Sequence, residues 1–331
     1  MTVRRKISSF FKTAAPKEGF LPLFLVTVCL FIALLTQIAD TFIYPFGKEL
    51  LSPMLSQLII LMIPLYLCLT VVFPQKTPVY MLRSLGCHKL RAEHVFFIIF
   101  SALFMISTSL IINLLCGGVY PAGEGFTLLG SFTAGAGEFT ATYPYLVIVY
   151  AATPAFIEEI LFRGFVYKGF TERGEFVAIA VSTVISAMFA FSIAGLPAAL
   201  FCGLIYCLVR HVTKTLWSCM IVHFVFNVYA LFLQTNVSKY FLSAQNRLLL
   251  IAVVIAAWLI CSVLFFTETA RIFKKRADEI KRGEATSSLP DFSIKRLSKN
   301  LKEIFSYRPV MICAIVSGVF FVAITAIGYF G

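Results

Sequence analysis

Charge is scarce in this sequence. Only 13% of its 331 residues are Asp, Glu, Lys or Arg, while 60% are hydrophobic and the mean hydropathy is +0.90. That shortage excludes an ordinary water-soluble domain. Acidic residues are scarcer than basic ones, 16 against 28, which leaves a net charge of +12. The basic residues cluster at the edges of apolar runs and form no nucleic-acid-binding motif, so anionic lipid headgroups are the expected partner and nucleic acid is not. The nine cysteines include no pair at metal-ligand spacing; Cys202 and Cys207 are too isolated for a zinc site, and most of the nine lie inside apolar runs as small hydrophobes. Nothing in them calls for an oxidising compartment. No internal repeat is present, so a repeat-built transporter gains no support.

What is abundant is uninterrupted apolar chain. Runs at 20–37, 56–73, 94–115, 144–168, 176–194, 196–210, 216–235, 246–266 and 309–330 compare with the roughly 20 residues needed to cross a bilayer. They are continuous rather than alternating, which favours helices over a barrel. The expected fold is all-α, a polytopic transmembrane helical bundle of about eight to nine spans. Its uncertain point is the tight turn or re-entrant pair at Gly195-Leu196-Pro197. The basic segment Met1–Gly19 and the first run resemble a signal peptide, but no small-residue cleavage site follows, so a retained first helix is expected.

Loop charges set the orientation. Segment 74–93 carries Lys76, Arg83, Lys89 and Arg91, segment 210–215 brings Arg210 and Lys214, and 267–308 is strongly basic. The Gly-rich loop 116–143 has Glu124 and Glu138 but neither Lys nor Arg. The positive-inside rule then puts the N-terminus in the cytoplasm and the C-terminus outside, in what we expect to be a bacterial cytoplasmic membrane. The expected organisation is a basic cytoplasmic segment (1–19), N-terminal transmembrane helices with an extracytoplasmic loop (20–143) and a core (144–235). A transmembrane helix (236–266), a basic amphipathic cytoplasmic segment (267–308) and a C-terminal transmembrane helix (309–331) complete it. Within 292–305, Phe292, Ile294, Leu297, Leu301, Ile304 and Phe305 recur at helical spacing among Lys295, Arg296, Lys299 and Lys302, as in a helix lying on an anionic leaflet.

The core holds polar residues at bilayer depth, where they are costly and tend to be functional. Glu158 falls about 10 residues, or ~15 Å, from the inner end of its span, and His223 about 7 residues, or ~10 Å, from the same face. Comparable depth suggests a shared cavity. Glu159 and Arg163 are spaced i,i+4 and can pair on one helix face, while Glu158 points roughly 100° away. A structural pair with Arg163 needs only one glutamate, so the second is the candidate general base. His223 and Asn227 are also i,i+4, and two such hydrogen-bonding groups can hold an oxyanion or simply join helices. Glu158 and His223 are too few ligands for a catalytic zinc, and no cofactor is expected.

These residues resemble a known family, the CAAX prenyl endopeptidase and bacteriocin-processing (CPBP) intramembrane proteases. Pro154-Ala-Phe-Ile-Glu158-Glu159-Ile-Leu-Phe162-Arg163-Gly164 is similar to the family's proline followed by E-E-x-x-F-R-G. Leu216-Trp217 followed by His223-x-x-x-Asn227 is similar to its L-W…H-x-x-x-N. The resemblance spans about 144–235, the CPBP-like core. It implies a hydrolase in which Glu158 activates water, Glu159 and Arg163 support it, and His223 and Asn227 stabilise the oxyanion. A peptide or membrane protein would be the substrate, in prenyl-protein processing, peptide maturation or bacteriocin immunity. The family's second motif, F-x-x-x-H, has its start at Phe189, but Ile193 stands at the histidine position. No histidine lies between Glu159 and His211, and His211 itself reads as a surface residue before the L-W pair. Ser182, Ser186 or Ser192 could hydrogen-bond a water there, without serving as a base. The departure opens a second expectation, an inactive relative that binds membrane peptides or proteins and regulates them.

Overall fold

A chain in hydrocarbon must satisfy its own N–H and C=O groups, and among the described residues the apolar runs do so chiefly as helix. The computed structural model describes residues 20–43, 55, 57–73, 75–116, 143–191, 195–234, 247–282 and 293–330. Eleven helices follow in order among these residues: α1 (Phe20–Ile43), α2 (Leu58–Val72), α3 (Pro78–Leu85), α4 (Val95–Cys116), α5 (Pro144–Arg173), α6 (Glu175–Met188), α7 (Leu196–Thr213), α8 (Leu216–Tyr229), α9 (Arg247–Lys281), α10 (Ile294–Ser306) and α11 (Arg308–Phe330). No strand occurs among them. Helices α1, α4, α5, α7, α9 and α11 are long and apolar enough to cross a membrane, whereas α2, α6 and α8 are apolar but shorter. Exposed side chains such as Phe96, Leu67, Val253 and Val319 clothe the surface in hydrocarbon. The chain is an integral membrane protein. The basic segment 1–19 and the Gly-rich stretch 117–142 lie outside the described residues.

Local chemistry explains several helix limits. Thr77 is extended and its hydroxyl accepts the Tyr80 N–H at 3.3 Å, Pro78 opens α3, and Gly86 ends it at φ +109°. Gly174, at φ +118°, turns the chain from α5 into α6, a conformation that L side chains resist. Helix α6 stops at Met188, short of the run that reaches 194. Helix α9 departs the other way and continues to Lys281 instead of ending near 266. Its charged extension is held by Arg271, which donates to Glu268 at 2.5 and 2.8 Å, and by an ion pair from Lys275 to Glu93 ahead of α4.

The chain sorts into two compact units. One comprises 1–87, 157–193 and 291–331. In it α1 packs along α11, with Thr27 Oγ1 and Ser317 Oγ 2.9 Å apart and the Phe31 and Phe320 rings 5.7 Å apart. Lipid tails are as apolar as these helices, so contacts of this kind and close packing, rather than water exclusion, hold them. Gly169 of α5 lets Pro22 of α1 approach so closely that a Cβ would overlap the proline ring. Lys168 Nζ donates to the Ser84 carbonyl at the end of α3.

The other unit comprises 88–156 and 194–290. Its core joins Phe97, Phe104 and Met105 of α4, Tyr206 and Val209 of α7, Val222 and Phe226 of α8, and Phe265 of α9. The Phe104 and Phe265 rings stack 4.8 Å apart at 8°. Trp258 Nε1 donates to Thr108 Oγ1 at 3.1 Å, giving the half-buried indole the partner it needs. His211, expected at the surface, is instead fully buried, with Phe273 from the extension of α9 stacked 6.1 Å away.

Candidate active site

Helix α5 is not uniform. Two π-helical stretches, Val147–Ala152 and Ile160–Val166, flank a regular segment, Thr153–Glu159. Pro154 lies in that segment and has no N–H to give the preceding turn; Thr153 Oγ1 donates back to the Ile148 carbonyl at 2.7 Å. Isolated π turns are uncommon and concentrate at functional sites. The glutamate pair occupies the last two positions before the second of them.

The widened turn brings Arg163 back beneath Glu159. Their charges meet at 3.1 Å, with Glu159 at 0% and Arg163 at 2% side-chain exposure. Arg163 also donates to Ser186 Oγ of α6 at 3.2 Å, and its guanidinium lies 5.7 Å from the centre of the Phe162 ring. A charge buried this deeply persists only when paired and hydrogen-bonded, and both conditions are met. Ser186 donates in turn to the Thr183 carbonyl at 3.0 Å, and Ser182 to the Phe162 carbonyl at 2.8 Å. Both hydroxyl protons are thus used within the helices rather than on a water. Phe189, the start of the incomplete second motif, packs on Phe162 with ring centres 5.1 Å apart. Ser192 and Ile193 lie outside the described residues. Glu158, next to the buried pair, is partly exposed.

His223 and Asn227 lie on the buried face of α8, at 2% and 4% exposure. The start of this helix is pinned by Thr215, whose hydroxyl donates to the His88 carbonyl at 2.6 Å. Trp217 meets Phe156 edge-on, 5.7 Å between ring centres. The imidazole of His223 stacks on Tyr206 of α7, 4.6 Å away and inclined by 23°, which fixes the plane of its ring. Asn227 Nδ2 donates to the Ala151 carbonyl, in the first π stretch of α5, at 3.5 Å. That long bond uses one of its two amide protons. Among the described residues, no three His, Cys, Asp or Glu side chains gather as metal ligands.

Glu159 and Arg163 therefore meet as their spacing predicts, and they gain Ser186 as a third member. His223 and Asn227 share a face and gain Tyr206 and the Ala151 carbonyl. Neither Ser186 nor Tyr206 stands out in the sequence as a partner; the nearest signal is the i,i+4 pair Ser182 and Ser186 in a short apolar helix. No curated protein and no solved structure matches the chain. One stretch does find a counterpart, and it contains all five candidate residues: residues 140–229 match the model of the Rce1-like family, type II CAAX prenyl endopeptidase Rce1-like.

Proposed function

We propose that this protein is an intramembrane endopeptidase that hydrolyses a peptide bond with water activated by Glu158. One observation carries the reading: within the family-matched segment, Glu159 is buried against Arg163, while its neighbour Glu158 stays accessible beside them. In the proposed reaction Glu158 takes a proton from water as the oxygen attacks the substrate carbonyl carbon. The negative charge moves to the carbonyl oxygen, for which the family resemblance assigns His223 and Asn227 as donors. The C–N bond then breaks, and the proton held by Glu158 passes to the leaving amine. Glu159 and Arg163 are positioning residues in this scheme, since they hold the turn on which Glu158 stands. Peptide maturation, prenyl-protein processing and bacteriocin immunity are uses compatible with that chemistry.

The test is cleavage of prenylated and unmodified peptides by the purified protein in lipid. Glu158→Gln keeps the shape but removes the base, and the expected loss is about 10²–10⁴-fold. Equal rates for the two proteins would sink the proposal. Ile193 supports a second reading, a relative that binds membrane peptides or proteins without cutting them. That reading requires wild-type protein to bind such peptides without cleaving any of them, and Glu158→Gln to leave the cellular phenotype intact.

A further inference from the structure

Helix α10 combines three features. The first is placement: Tyr307 alone separates its end at Ser306 from Arg308, where α11, a membrane-spanning helix, begins. At 1.5 Å per residue the whole of α10 stays within ~20 Å of that span, close to the membrane surface. The second is its two faces. Lys295, Arg296, Lys299 and Lys302 are exposed, while Ile294, Leu297, Leu301 and Phe305 form an open apolar strip along the helix, edged by Lys302. Ile294 alone is 77% exposed. An apolar strip bordered by cations fits acyl chains below and negative headgroups beside them.

The third feature is a clamp on α5. Asn300 Nδ2 donates to the Arg173 carbonyl at 2.6 Å, and Arg173 pairs with Glu303 at 3.0 Å. Ile304, on the same side of the helix, is buried. The clamp closes on the corner at Gly174, whose positive φ joins α5 to α6. Those are the two helices that supply Arg163 and Ser186 to the buried ion pair.

We propose that α10 is a sensor of anionic lipid: its cationic, apolar face binds a negatively charged leaflet, and the Asn300 and Glu303 clamp passes that binding to the α5–α6 corner. Cations near a charged surface gain attraction that salt weakens, so the response is strongest at low ionic strength. The proposal requires no peptide hydrolysis and survives if the protein proves inactive.

The experiment is hydrogen–deuterium exchange on the full chain in nanodiscs of phosphatidylcholine alone or mixed equally with phosphatidylglycerol. We expect amides of 294–306 to exchange at least about tenfold more slowly with the anionic lipid, and those of 171–180 to slow with them. High salt should erase the difference. A triple variant, Lys295→Gln/Lys299→Gln/Lys302→Gln, should exchange as in neutral lipid. Asn300→Ala/Glu303→Gln should keep the lipid response at 294–306 and lose it at 171–180. Equal exchange of 294–306 in the two lipids, or protection untouched by salt, would overturn the sensor. A response confined to 294–306 in wild-type protein would overturn the coupling.

Discussion

Arg163 lies at 2% exposure with a carboxylate and a hydroxyl as partners, in a region where each unsatisfied charge is expensive. Replacing it with Met strands Glu159, and the expected cost is about 3–5 kcal/mol, read from unfolding in a denaturing detergent series. Adding Glu159→Gln to the same chain removes the stranded charge, so the double variant should be more stable than Arg163→Met alone. Glu158→Gln should shift stability by under about 1 kcal/mol, because its carboxylate is partly exposed and the amide has the same shape. Spacing made the Glu159–Arg163 pair legible, since residues four apart share a helix face. Ser186 and Tyr206 were not legible, because each comes from another helix and only packing chooses them. His211 was misread for a related reason: its own neighbours Arg210 and Val212 say nothing of Phe273, which covers it from a distant part of the chain.

At the scale of the element, the six helices long and apolar enough to cross a membrane each overlap a run that hydropathy marks, because the bilayer imposes the length. Hydropathy did not find where helices bend their own rules. The π stretches of α5 carry no local signature beyond Pro154, and the extension of α9 is anchored by partners elsewhere in the chain, Phe273 on His211 and Lys275 on Glu93. Close approaches are also silent in sequence. Gly169→Ala should cost about 1–3 kcal/mol, since the new methyl would overlap Pro22 of α1 and one helix would have to shift. The measurement is thermal unfolding in detergent. Gly318→Ala on α11 offers the comparison, because no atom stands within 4 Å of its added methyl, and it should leave the midpoint nearly unchanged.

For the whole molecule, the charge asymmetry of the loops yields a prediction that stands apart from the helix geometry. If the chain crosses nine times from a cytoplasmic start, as the loop charges predict, a reporter that works only outside should be active when fused after residue 331, while one inserted at 283–292, within the basic segment 267–308, should mature inside. Both reporters on one side would mean an altered count or a re-entrant helix. The order of synthesis matters as well. The unit that carries the glutamates draws on 1–87, 157–193 and 291–331, and the stretches between belong to the other unit. A nascent chain therefore releases Glu158 from the ribosome long before α10 and α11 exist. Until α11 is inserted, Thr27 and Phe31 of α1 lack Ser317 and Phe320 to pack against, and the glutamate-bearing unit is unfinished. A ribosome that stalls before α11 leaves a half-built membrane protein for quality control to remove, and not a smaller working version of the whole.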